Sequence, residues 1–212
     1  MQRYFHQELD AIRQKIVLIG EKASEAGRLA IEGFETSDLQ TVERALAMDD
    51  PIDDLEVEID RDSVRYISLR SPVSSDVRLV FVAIKISHDL ERAGDEAHSI
   101  AKKTRKILLR DGRVATFGAI IEMSQIAFAM MHDAMTAFID QNVELAKAVL
   151  KRDKEVDRLN KENFRNFSEQ ISRHPEHALT LVETILISKS VERIGDHAKN
   201  LAQEVLYLQT GH

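Results

Sequence analysis

Apolar residues recur at alternating steps of four and three from the start of the chain: Phe5, Leu9, Ile12, Ile16, Ile19, Ala23, Ala26 and Ala30. This heptad seam predicts a long α-helix that packs on its neighbours at shallow crossing angles, as in helical bundles. The stretch from Gly33 to Asp38 interrupts it, and Ser37-Asp38-Leu39-Gln40 has capping-box spacing, which predicts a second helix running to about Leu69. After the loop Arg70-Ser71-Pro72-Val73-Ser74-Ser75, a third helix is predicted over about 77–109. Its seam is Ile86, Leu90, Ala93, Ala97, Ile100, Thr104 and Ile107, and it stops at Asp111-Gly112. The remainder repeats the pattern, with breaks near Asp140-Gln141-Asn142 and Arg173-His174-Pro175 and a last seam of Ile187, Val191, Ile194, Ala198, Leu201, Val205 and Leu208.

The repetition extends to residue identity. Shifted by 104, Ala30, Phe34, Leu46, Asp49, Asp53 and Leu55 fall on Ala134, Phe138, Leu150, Asp153, Asp157 and Leu159. Shifted by 101, eight of the sixteen residues from 86 to 101 are identical to their partners in 187–202, far above chance for two arbitrary helices. The fold expected is all-α: two antiparallel three-helix bundles in tandem, residues 1–110 and 111–212.

Composition agrees with a helical globular protein, since only 8 glycines and 3 prolines occur in 212 residues and 5% of the chain is aromatic. No cysteine is present, which removes disulfides, thiolate metal sites and a cysteine nucleophile. No basic-then-apolar leader and no apolar run of membrane-spanning length is seen, so a cytoplasmic location is expected. The net charge of −7 disfavours nucleic acid and anionic membranes as partners. The one basic cluster, Lys102-Lys103-Thr104-Arg105-Lys106, reads as a solvated helix end complementing the dipole.

Candidate chemistry lies where carboxylates interrupt the apolar seams. In the second unit Val143, Ala146, Leu150, Asp153, Asp157, Asn160, Phe164, Phe167 and Ile171 keep the heptad spacing through three polar residues; in the first, Leu39, Val42 and Leu46 lead into Asp49, Asp53, Glu56 and Asp60. Ionised carboxylates in a seam need a cation or an opening to water. The third helices supply a matching set, Glu91 with Asp95 and Glu192 with Asp196, each four apart and so on one helix face. Gly94 and Gly195 beside them cost helix stability and imply close approach of a neighbour. Two acidic pairs converging in each bundle suit a multivalent cation, and all-oxygen ligation favours iron, manganese, magnesium or calcium.

The histidines point elsewhere. Asp95-x-x-His98 is half of a ferritin-type motif, but Lys199 stands at the repeat position of His98; His88-Asp89 resembles the metal pair of HD phosphohydrolases, but its counterpart is Lys189-Ser190. No phosphate loop, nucleophile elbow or Ser/His/Asp set occurs.

The doubled Ile-Ser-x-x-(Leu/Val)-Glu-Arg-x-Gly-Asp block at 86–95 and 187–196, the Asp-x-x-x-Asp pairs at 49–53 and 153–157, and Ser75-Asp76-Val77-Arg78 resemble the PhoU family of phosphate-uptake regulators over the whole chain. The resemblance implies two similar three-helix bundles and, as in some members, iron or zinc (with manganese or magnesium as alternatives), one site or cluster per bundle. Its motifs fall here on Asp49, Asp53, Glu91 and Asp95, and on Asp153, Asp157, Glu192 and Asp196. It further implies a non-enzymatic adaptor that docks to the ATPase subunit of the phosphate ABC transporter and to the phosphate-regulon sensor histidine kinase, restraining signalling when phosphate is plentiful. Membrane association would come only through partners, and a homodimer is allowed. The chain departs from the pattern where Ala178-Leu179-Thr180 replaces Asp-x-Arg and where Asn160 matches Glu56. The competing reading, from a different class, is a carboxylate-metal-dependent phosphohydrolase.

Overall fold

The computed structural model describes residues 2–210, with side chains from Gln7 onward, so the seam position Phe5 lies outside the described side chains. Seven α-helices follow one another: α1 (Gln2–Thr36), α2 (Leu39–Leu46), α3 (Asp49–Arg70), α4 (Ser74–Asp111), α5 (Ile120–Asp140), α6 (Val143–Arg173) and α7 (Ala178–Thr210), with a 3-10 turn at Pro175–His177 before the last. The described residues contain no strand. The first repeat is α1 to α4 and the second α5 to α7, and no helix among the described residues is long and apolar enough to cross a membrane.

The predicted second helix is two helices. Pro51 stands at the third position of α3, where its ring nitrogen has no proton to give the carbonyl of Ala47; the chain breaks one turn earlier, at Ala47-Met48. The capping residue is Asp38 rather than Ser37. The Asp38 carboxylate accepts from the backbone amides of Gln40 and Thr41, both at 3.1 Å. Ser37, in the left-handed region at φ 57°, closes α1 and accepts the Val114 amide at 2.9 Å.

The described seam residues of α1 and all of those assigned to α4 are buried, as are those of α7 up to Val205, with Leu208 half-buried. On α6 the seam drawn from spacing is displaced. The buried stripe runs Ala146, Val149, Asp153, Val156, Leu159, Asn163 and Phe167, whereas Asp157 and Asn160 lie on its flank and Phe164 is exposed. A heptad through Asp157 and Phe164 passed one position to the side of the stripe that faces the bundle.

The repeats meet along antiparallel α4 and α7. Lys85 bonds Glu204 at 2.9 Å, Arg193 bonds Glu96 at 2.9 Å, the His197 ring nitrogen lies 2.9 Å from Asp89, and Lys106 reaches Glu183 at 3.5 Å. Helix α1 also meets α5, where Cβ atoms built at Gly20 and Gly27 would fall 2.7 Å from Met135 and from Phe128. One buried apolar cluster therefore runs from the first repeat into the second.

Candidate metal centre

In the first repeat the close approach inferred from glycine is present. A Cβ on Gly94 would come within 2.9 Å of Ile52 on α3, and its counterpart on Gly195 would come 3.3 Å from Val156 on α6. These contacts seat α3 against α4 and α6 against α7 at the level of the acidic pairs. Asp49 opens α3, where the helix dipole favours negative charge. Asp53 follows one turn later, and Glu91 and Asp95 project from α4.

These four carboxyls feel one another. Burial is the largest cause lifting each above the ordinary carboxylate range; charge repulsion adds to it, from Asp95 on Asp53, from Asp95 and Asp53 on Glu91, and from Asp49 on Asp95. Asp49 is lifted by burial and by Asp53, with His98 opposing, and the His98 Nδ1 lies 3.2 Å from its carboxylate. His88 stands 3.0 Å from Glu56 in the same way. No lysine or arginine ion pair reaches Asp49, Asp53, Glu91 or Asp95 among the described residues.

In the second repeat the chain provides its own cation. Asp153 is 7% exposed and accepts a bond from the Lys199 ammonium at 2.5 Å. That bond, followed by the charges of Asp153, Asp196 and Asp157, holds the ammonium above its usual range against a cost of burial. Asp196 is raised by burial and by Asp153, with Lys199 and Lys189 opposing. Lys189 bonds Glu192 at 2.5 Å. Where Glu56 faces His88 in the first repeat, Ser188 donates to Asn160 at 2.9 Å and receives from the Asn163 amide at 3.0 Å. The Asn163 carbonyl oxygen accepts the Ala119 amide at 2.8 Å, pinning the start of α5.

The two sets thus differ in fitness for a metal. Among the described residues no three histidine, aspartate or glutamate side chains form a metal-binding group, so neither set is a ready-made coordination shell. The oxygen donors of the first set, repelling one another without an ammonium or guanidinium partner, suit a hard cation that would draw them together. In the second set Lys199 pairs with Asp153 and Lys189 with Glu192, which offsets two of the four carboxylates, and a cation there would have to displace an ammonium. A groove of about 740 Å³ between α4 and α7 is lined by Glu91 and Asp95 of the first set and by Asp196 of the second, together with Lys199, Arg92 and Arg193.

Sequence reasoning placed the carboxylates and missed their partners. Spacing assigned no partner to either histidine; the structure sets His98 3.2 Å from the Asp49 carboxylate and the exposed His88 3.0 Å from that of Glu56. The signal was the repeat itself: lysines replace both histidines, so a basic group is kept at each position.

A PhoU-domain family model matches residues 16–104 and again 120–205. The chain is 31% identical over 98% of its length to the Phosphate-specific transport system accessory protein PhoU homolog 1 of Thermotoga maritima, covering 90% of that protein. It is 30% identical to PhoU from Pseudomonas aeruginosa, whose crystal structure superposes with a TM-score of 0.93, covering 98% of this chain and all of that one. The regulatory protein PhoU from Streptococcus pneumoniae shares the fold at a TM-score of 0.86, 98% coverage of both chains and 23% identity. Two copies of one domain, the repeated acidic pairs on paired helices and whole-length similarity to these proteins agree: the chain belongs to the PhoU family.

Proposed function

We propose that this protein is a regulatory adaptor of phosphate uptake without catalytic activity of its own, acting in the cytoplasm by docking to the ATPase subunit of the phosphate transporter and to the sensor histidine kinase. The observation that carries the reading is similarity along the whole chain, in both repeats, to a relative named as an accessory protein of the phosphate-specific transport system. The geometry supports it through long rigid helices that offer extended faces to partners.

In this reading the first set, Asp49, Asp53, Glu91 and Asp95, takes a metal ion, iron, zinc, manganese or magnesium. Bound there, the ion would neutralise the repulsion among these carboxylates and tie α3 to α4. In the second set Lys199 performs that neutralisation. The test is a gene deletion with a phosphate-regulon reporter in high phosphate, combined with affinity capture of the tagged protein. A reporter stuck in the starved state, with transporter ATPase and kinase recovered, is the expected result. A normal phosphate response in the deletion strain, or phosphatase activity of the metal-loaded protein, would overturn the reading.

A further inference from the structure

A second pocket, of about 460 Å³, lies where α4 ends, α6 passes into α7 and the linker between the repeats crosses. Three basic side chains line it, Arg113, His174 and His177, against one carboxylate, Asp111. Leu181 and Ala115 give it an apolar wall, and Thr116, Thr180 and Gln170 add hydroxyl and amide groups. Leu181 stands roughly 22 Å along α7 from Asp196, so this pocket is separate from the acidic sets.

The linker wall is fastened on both sides of Ala115-Thr116. The Val114 amide donates to the Ser37 hydroxyl at 2.9 Å, the Phe117 ring meets Phe34 edge-on with centroids 5.4 Å apart, and the Ala119 amide donates to Asn163 at 2.8 Å. The pocket is therefore shaped by the fold itself, which lowers the ordering cost of filling it.

Its single carboxylate is already committed. Arg110 donates to both oxygens of Asp111 at 3.0 and 3.1 Å and the Thr180 hydroxyl donates to it as well, bonds that hold this carboxyl below the ordinary range. The basic groups are freer. Arg113 makes no ion pair and the side chains of Thr116 and Gln170 no hydrogen bond among the described residues. His174 faces Glu176 through Nδ1 at 3.3 Å, which leaves Nε2 open, and His177 stands 4.0 Å from the same carboxylate. The duplication shows what has changed here: shifted by 104 and 101, Gln170 and His177 fall on Tyr66 and Asp76, where the Tyr66 hydroxyl donates to Asp76 at 3.3 Å. The second repeat carries a basic ring in place of that carboxylate.

We propose that this pocket binds a nucleoside monophosphate, its phosphate on Arg113, His174 and His177 and its base and sugar against Leu181, Ala115 and Thr116. Three basic groups with hydroxyl and amide donors beside them exceed what the two oxygens of a carboxylate can engage, whereas a phosphate monoester brings three acceptor oxygens and close to two charges. Inorganic phosphate would leave most of the pocket empty, and 460 Å³ is the size of a small-molecule site. The apolar Leu181 and the flat imidazoles, with ring centroids 6.3 Å apart, suit a planar base. The proposal goes beyond the adaptor reading and does not depend on it.

Isothermal titration calorimetry of the full chain compares AMP, GMP, CMP and UMP with adenosine and with inorganic phosphate. At least one nucleotide is expected to bind about tenfold more tightly than either adenosine or inorganic phosphate. Arg113→Gln with His177→Gln is expected to weaken that complex about tenfold or more. Ala115→Trp, which fills the pocket and leaves its donors in place, should abolish it, and Arg92→Gln in the groove between α4 and α7 should leave it unchanged. All four substituted residues are exposed, so melting temperatures should match the wild type. Inorganic phosphate binding as tightly as the nucleotides would assign the site to a free oxyanion and overturn the proposal, and adenosine binding as tightly would remove the phosphate from the basic cluster and overturn it too. A loss in Arg92→Gln would place the nucleotide in the other groove. No nucleotide binding at millimolar concentration, or wild-type affinity in either folded pocket variant, would overturn the site and leave the adaptor reading standing.

Discussion

In the first repeat Asp49 is paired with the imidazole of His98, and Asp53, Glu91 and Asp95 press on one another; in the second, Lys199 reaches across from the His98 position and bonds Asp153. The four acidic positions and the glycine beside them are the same in both, although the helix that carries the first acidic pair is broken at Ala47-Met48 in the first repeat and continuous in the second. What changes is the basic partner: His98 and His88 on the last helix of the first repeat become Lys199 and Lys189 on that of the second. A duplicated site can thus keep its carboxylates and exchange the cation that neutralises them.

The largest expected effect tests the shared frame. Gly94→Leu should destabilise by about 3 kcal/mol and Gly195→Leu by about 1–2 kcal/mol through overpacking. The ordering follows from the tighter gap at Ile52 than at Val156. Urea unfolding measures both, and a rise in stability for either variant would show that its glycine faces open space.

Next comes the internal cation. Lys199→Met leaves the nearly buried Asp153 without its partner and should cost about 2 kcal/mol. His98→Met should cost under about 1 kcal/mol, because Asp49 retains access to water. Equal losses would mean that the two basic residues do the same work.

The smallest effect has the opposite sign. In metal-free protein burial and the charge of Asp95 hold the carboxyl of Asp53 above its ordinary value, so the folded state binds that proton more tightly than the unfolded chain does. Stability contributed by the protonated form is full below the unfolded value and is lost as pH rises through the folded one. Asp53→Asn should therefore stabilise the chelated protein by a few tenths of a kcal/mol at neutral pH, on the order expected for a half-exposed charge, and by nothing in acid. Thermal melting at the two pH values would contradict the repulsion if the variant were less stable at neutral pH.

Much of this was legible in the chain. Heptad spacing located the long helices because buried faces repeat with the turn of the helix, and the duplication located Asp49, Asp53, Glu91, Asp95 and their counterparts. The break at Ala47-Met48 was missed because the apolar pattern continues through it, while the cause, Pro51, acts on the backbone alone. The α6 stripe was drawn one position aside because Asn163, a polar residue, is buried by its bonds to Ser188 and the Ala119 amide, which no hydropathy pattern reveals. Asp153 and Lys199 are 46 residues apart, and only packing of α6 on α7 shows that one answers the other.

The most direct test of the divergence between repeats is metal stoichiometry, measured by elemental analysis after equilibration with manganese(II) or zinc(II). The account predicts one ion or cluster in the wild type, lost in Asp49→Asn with Asp53→Asn, kept in Asp153→Asn with Asp157→Asn, and a second site gained in Lys199→Ala. Two occupied repeats in the wild type, or no metal under any loading, would contradict it.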